Sequence, residues 1–175
     1  MKKNKPTKGA DMEFLLRAWR FDDVDSIVKY ANNPKIAANL RNGFHSPYTW
    51  EDADAFLHAC LDDDERMRFV RAIEIGGEAI GSIGIYRDDD VYCKTAEVGY
   101  WLGEPFWGNG IISSAIRLMC EEAFRRYDIL RIYAEPYAYN MGSRRALEKA
   151  GFILEGIKKN SVYKNGTVCM YALLR

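Results

Sequence analysis

The chain has 175 residues, 48% of them hydrophobic and 29% charged, the balance of a single soluble globular domain. Lys plus Arg and Asp plus Glu both number 25. The resulting zero net charge argues against a general nucleic-acid binder or a polybasic membrane surface, since both need a strong positive excess.

In chain order, Met1 to Lys8 is basic but lacks the apolar stretch of a signal peptide, so residues 1–11 read as a flexible tail ahead of one domain over 12–175. Met12 to Arg20 is apolar enough for a strand. Asp22 and Asp23 open a helix with Val24, Ile27, Val28 and Ala31 on one face, and Asn32-Asn33-Pro34 breaks it. Ile36 to Leu40 reads as a helical turn and Arg41 to Tyr48 as a loop. Thr49 with Asp52 three residues on marks the start of a helix carrying Ala53, Phe56, Leu57 and Cys60. Phe69 to Ile75 and Glu78 to Tyr86 are strands around a Gly76-Gly77 turn, and Tyr92 to Leu102 is a third. Gly108 to Tyr127 is the strongest helix pattern. Leu130 to Glu135 reads as a strand, Met141 to Ala150 as a helix, and Phe152 to Val162 with Thr167 to Leu174 as a hairpin about Asn165-Gly166. This order predicts an α+β fold: a single mixed, mostly antiparallel, twisted sheet of six to seven strands with about four helices. The unit from Tyr92 through Glu135 should be a right-handed parallel crossover.

No apolar run approaches the roughly 18 residues of a membrane span. The four cysteines form no CxxC pair, and the only histidines are His45 and His58. A reduced cytoplasmic protein without a metal site is the expectation. His45, in a Gly/Pro loop, reads as surface.

Chemistry concentrates between Leu102 and the following helix, in Gly103-Glu104-Pro105-Phe106-Trp107-Gly108-Asn109-Gly110. A glycine-rich passage from a strand into a helix N-terminus presents backbone N–H groups that the helix cannot use, with favourable dipole potential for a phosphate. A plain turn is the competing reading. The lysine of a Walker A loop is missing, and Gly-Asn-Gly-Ile-Ile-Ser lacks the third glycine of the dinucleotide fingerprint. A diphosphate ligand outside both classes points to coenzyme A.

The runs Ala96-Glu97-Val98-Gly99-Tyr100-Trp101-Leu102 and Phe106-Trp107-Gly108-Asn109-Gly110-Ile111 resemble the GCN5-related N-acetyltransferase (GNAT) superfamily. So does Asn140-Met141-Gly142-Ser143 with Leu147-Glu148-Lys149-Ala150-Gly151-Phe152, which is similar to that family's N-x-x-S…LEK-x-GF signature. The ribosomal-protein N-acetyltransferase branch is the most similar, over about residues 12–174. Two positions depart from the family's Gln/Arg-x-x-Gly-x-Gly/Ala loop: Trp107 stands at the Gln/Arg place and Ile112 where Gly or Ala is expected. Backbone donation does not depend on Trp107's side chain; Ile112 is expected to crowd the helix against the sheet.

The resemblance implies acetyl-CoA as cosubstrate, held by Tyr100, Trp101, Leu102, Trp107, Gly108, Asn109, Gly110, Ile111, Ile112, Ser113, Asn140, Arg145 and Lys149. It implies Glu97 as a general base toward the acceptor amine and Ser143 as the group that protonates the departing thiolate, with Tyr137 or Tyr139 as alternatives. Each has a plainer reading: a structural carboxylate for Glu97, a helix cap for Ser143 or Asn140, a solvated basic face for Arg144, Arg145 and Lys149, core aromatics for Tyr100 and Trp101. The implied partners are acetyl-CoA and an amine acceptor, without nucleic acid or membrane, on a monomer or homodimer. At pH 7 an α-amine of pKa about 7.7 is roughly one-sixth neutral, against well under a thousandth for lysine. A protein N-terminus is therefore the easier acceptor. A polyamine, aminoglycoside or amino sugar stays open, as does a non-catalytic acyl-CoA-binding module.

Overall fold

A computed structural model describes residues 7–8, 12–164 and 166–175. Thr7–Lys8 (β1) pairs antiparallel with Glu13–Arg17 (β2), so part of the expected tail joins the sheet; the rest of 1–11 lies outside the described residues. A 3-10 turn over Phe21–Asp23 leads into Val24–Ala31 (α1). Pro34–Ala37 (α2) is the helical turn expected slightly later: Pro34 suits the first helical position, and the Asn33 side chain accepts from Lys35 N–H at 2.9 Å. Trp50–Leu61 (α3) starts with the capping box of Thr49 and Asp52.

Arg68–Ile75 (β3) and Glu78–Arg87 (β4) form the expected hairpin; Gly76 and Gly77 take φ of 59° and 92°, which a side chain would resist. The next strand, Thr95–Leu102 (β5), begins three residues later than the sequence pattern predicts. Asp90 adopts φ of 51° and opens a 3-10 turn whose Val91 and Tyr92 stay exposed, because no neighbouring layer covers them. Ile111–Arg126 (α4) likewise starts after Gly108, since Gly108 and Gly110 hold φ of 84° and 73°, outside the right-handed helix region. Arg131–Ala134 (β6), Met141–Lys149 (α5), Ile153–Val162 (β7) and Gly166–Leu174 (β8) complete the chain. Gly166 has a turn-type φ of 71°; its expected turn partner Asn165 lies outside the described residues.

The sheet order is β1-β2-β3-β4-β5-β6-β8-β7. All neighbours are antiparallel except β5 and β6, as the crossover through α4 requires. Strand alternation separates two apolar layers. Ile83, Ile85, Val98 and Leu102 pack with Ile111, Ala115 and Met119 of α4 and Leu147 of α5. Val70 and Ala72, on the opposite face, pack with Ile27 of α1 and Ala53 and Leu57 of α3. This is the predicted mixed α+β sheet, with the short α2 as a fifth helix and β1 as an added edge strand.

Candidate active site

The site begins where the sheet comes apart. β5 pairs with β6 only at Thr95↔Arg131, Ala96↔Ile132 and Glu97↔Tyr133, yet it continues to Leu102 beside β4. Gly103 N–H donates to Ile80 C=O at 2.8 Å. Antiparallel alternation then turns the N–H and C=O of Tyr100 and Leu102 away from β4 and into the gap. The Trp107 indole N–H donates to the Leu102 carbonyl at 2.7 Å. Trp107 thus ties off the end of β5, a role its sequence position did not suggest. The gap opens into a cavity of about 1150 Å³. Every sequence-predicted site residue lines it except Asn109, whose side-chain amide folds back onto the Phe106 and Trp107 carbonyls at 3.2 and 3.3 Å.

At one end lies the glycine turn. Gly110 caps α4 without a side chain, so the first-turn N–H groups face outward to the cavity. Ser113 Oγ donates to the Gly110 carbonyl at 2.9 Å. A Cβ on Gly108 would meet nothing within 4 Å, so glycine is needed there for backbone conformation and not for room. Ile112, expected to crowd the helix against the sheet, packs partly buried against the core. Arg145 and Lys149 reach the same region from α5. Arg144 does not: its Nε donates to Tyr171 Oη at 3.3 Å and its Nη1 to the Ala138 carbonyl at 3.0 Å, making it a brace toward β8.

Alternation along β5 places Tyr100 on the α4–α5 face and Glu97 and Trp101 on the other. On the first face, Tyr100 Oη and Ser143 Oγ are hydrogen-bonded at 2.8 Å, and burial raises the Tyr100 pKa above the ordinary phenol value. The cap of α5 is Asn140, whose Oδ1 accepts from Ser143 N–H at 3.1 Å. The capping reading therefore holds for Asn140 and fails for the Ser143 hydroxyl, which is turned to Tyr100. Tyr137 and Tyr139 instead reach across the cavity mouth and donate to the carbonyls of Leu40 and Ala38 at 3.3 and 2.6 Å.

On the other face, Arg41 Nη2 donates to Glu97 Oε1 at 2.6 Å. Burial pushes the Glu97 carboxyl up; Arg41 opposes this, while the Glu135 and Asp88 carboxylates add to the rise. Phe44, Tyr48, Phe56, Ser82 and Tyr86 complete this wall. Burial lifts the phenols of Tyr48 and Tyr86 to about 12, so both stay protonated at neutral pH. Arg41, Phe44, Ser82 and Tyr86 have no local motif in the sequence; only the tertiary fold collects them. His45 lies outside this cavity, its Nδ1 2.6 Å from Asp52 Oδ1 in a separate, shallower concavity, and Trp50 is exposed. Among the described residues no three His, Cys, Asp or Glu side chains are grouped to hold a metal ion, and no helix is long and apolar enough to cross a membrane.

Comparison with known proteins agrees with this geometry. Residues 13–153 match the acetyltransferase (GNAT) domain profile. The chain is 36% identical to the probable N-acetyltransferase YjcK of Bacillus subtilis over 61% of its own length and 59% of that relative's. It is 32% identical to the putative ribosomal N-acetyltransferase YdaF of the same organism, over 70% of this chain and 71% of that one. Among solved structures, RimL, the ribosomal L7/L12 alpha-N-protein acetyltransferase in complex with coenzyme A, superposes with a TM-score of 0.81. That match has 24% identity and covers 94% of this chain and 96% of that one. The chain belongs to the GNAT acetyltransferase family, in its ribosomal-protein N-acetyltransferase-like branch.

Proposed function

We propose that this protein transfers an acetyl group from acetyl-CoA directly to a primary amine, the α-amine of a protein N-terminus. One observation carries the reading: a single cavity passes through the sheet where β5 and β6 part, joining the glycine turn and the Tyr100–Ser143 pair on one face to Glu97 on the other.

The residues fit the cosubstrate. Free N–H groups at the start of α4, with Arg145 and Lys149 nearby, suit a pyrophosphate. The unpaired edge of β5 suits an amide-bearing arm lying alongside like a further strand. Bound acetyl-CoA supplies an activated acetyl thioester. A backbone N–H near the end of β5 polarises its carbonyl oxygen. Glu97 takes the proton that the attacking amine loses, and Ser143, backed by Tyr100, returns one to the departing sulfur. No cysteine lines the cavity, and burial pushes the thiols of Cys60 and Cys120 to about 11 and 12. Among the described residues no cysteine is placed in the cavity to form an acyl-enzyme, which supports direct transfer. The name of YdaF, a putative ribosomal N-acetyltransferase, supports a ribosomal acceptor, and that of RimL, an alpha-N-protein acetyltransferase, supports an α-amine.

The test is a panel of amines and N-terminal peptides with acetyl-CoA, read by free thiol. Thiol release that depends on an N-terminal peptide supports the reading. Acetyl-CoA binding without release with any amine would make the protein a binding module.

The α5 start separates catalysis from capping. Ser143→Ala should cut kcat by about tenfold, below the usual range of general acid catalysis because a thiolate already leaves well, and should leave the melting temperature nearly unchanged. Asn140→Ala should cost about 1 kcal/mol of stability through the lost cap. If Ser143→Ala lowers the melting temperature as much as Asn140→Ala and spares kcat, the hydroxyl is structural.

A further inference from the structure

The acceptor half of the cavity is aromatic and already neutralised. Phe44, Tyr48, Phe56 and Trp101 wall it, with the Phe44 ring 4.6 Å from that of Tyr48 and 6.2 Å from that of Trp101. On its β4 and β5 floor Ser82 sits beside Trp101, and Tyr86 sits beside Glu97. Among the described lining residues the carboxylates are Glu97 and Glu135, and each has an internal cation. Arg41, from the loop after α2, donates to Glu97, and Lys158, from β7, pairs with Glu135.

These pairings bear on what can enter. A polycation gains affinity from uncompensated carboxylates. Here an added ammonium can pair with a lining carboxylate only by displacing Arg41 or Lys158. A lone amine, reacting in its neutral form, meets no such cost, and an apolar group beside it gains contact with the rings.

We propose that Arg41 is a specificity-determining residue of this chain: by pairing with Glu97 it reserves the cavity for an acceptor carrying one amine on an apolar neighbour and disfavours polycations. The proposal rests on the acetyl-transfer reading and narrows it to an N-terminal peptide whose first side chain is apolar.

The experiment compares four acceptors with acetyl-CoA by thiol release: a peptide beginning with leucine, the same peptide beginning with lysine, spermidine, and an aminoglycoside. Each is run on the parent, Arg41→Ala and Arg41→Lys. The parent should favour the leucine peptide over spermidine and the aminoglycoside by about threefold or more in kcat/KM, the scale of one ion pair whose arginine is 77% exposed. Arg41→Ala should shrink that ratio by about threefold, mainly through a lower KM for the polycations, and Arg41→Lys should restore most of it. A parent that acetylates a polycation as well as the leucine peptide, or a ratio unmoved by Arg41→Ala, overturns the proposal. If no amine releases thiol, the transfer reading fails separately, and calorimetry of the same panel on the CoA-loaded protein decides. Preferential binding of the leucine peptide, lost in Arg41→Ala, supports the role of Arg41; equal or tighter polycation binding by the parent overturns it.

Discussion

Replacing Gly110 with aspartate is expected to lower acetyl-CoA affinity by at least about a hundredfold, roughly 2.7 kcal/mol. Two costs combine. Gly110 holds φ of 73°, where a side chain is strained. A carboxylate there also takes up the free N–H groups at the start of α4 and repels a pyrophosphate approaching them. Gly110→Asn separates the two, because asparagine tolerates the left-handed region and matches aspartate in size without its charge. Calorimetry should place Gly110→Asn between the parent and Gly110→Asp. Unchanged affinity in a folded Gly110→Asp variant would remove the glycine turn from the site.

Glu97→Gln is the second large effect. It keeps the shape of the side chain and an acceptor for Arg41 while removing the base, and kcat should fall by about a hundredfold or more, within the range of general base catalysis. Acetyl-CoA affinity should hardly move, since Glu97 lies on the opposite face of the sheet from the Tyr100–Ser143 pair. Burial raises the Glu97 pKa, so the acidic limb of the parent's pH–rate profile should lie above the ordinary carboxylate range and vanish in the variant. Stability gives an independent sign. A carboxyl whose folded pKa exceeds its unfolded value destabilises the fold once pH rises through the unfolded value, where the folded state must ionise it in a less favourable place. The neutral glutamine escapes that cost. Glu97→Gln should therefore melt no lower than the parent at neutral pH while losing rate. A variant that keeps kcat within twofold, or that loses stability along with rate, would return Glu97 to a structural role.

Local signals were the legible ones. Thr49 with Asp52 and Gly76-Gly77 state their cap and turn within a few residues, and each is found where the pattern puts it, whereas the helix expected from Gly108 begins only at Ile111, past the two positive-φ glycines. Ambiguity entered where two groups of similar chemistry lie one turn apart. Asn140 and Ser143 are both plausible caps by type, and only the structure shows the asparagine carbonyl accepting from the serine N–H while the serine hydroxyl turns to Tyr100. The start of β5 lies later than its sequence pattern predicts because Tyr92 looks like a strand residue, yet it stays exposed. Long-range juxtapositions left no trace at all. Arg41 meets Glu97 from 56 positions away, and Tyr137 and Tyr139 hold the Leu40 and Ala38 carbonyls from about a hundred. Such contacts have no spacing to read: the residues of the glycine turn stand together in the chain, while those that line the Glu97 side of the cavity come from separate segments.

Direct transfer is the centre of this account, and a single-turnover reaction with isotopically labelled acetyl-CoA tests it most directly. Protein in excess over labelled acetyl-CoA is mixed with an N-terminal peptide, quenched at short intervals, and resolved by mass spectrometry into protein and peptide. The account predicts label in the peptide's new amide from the first time point, in step with free thiol, with none on the protein; label that appears first on a protein side chain and then moves to the peptide would contradict it.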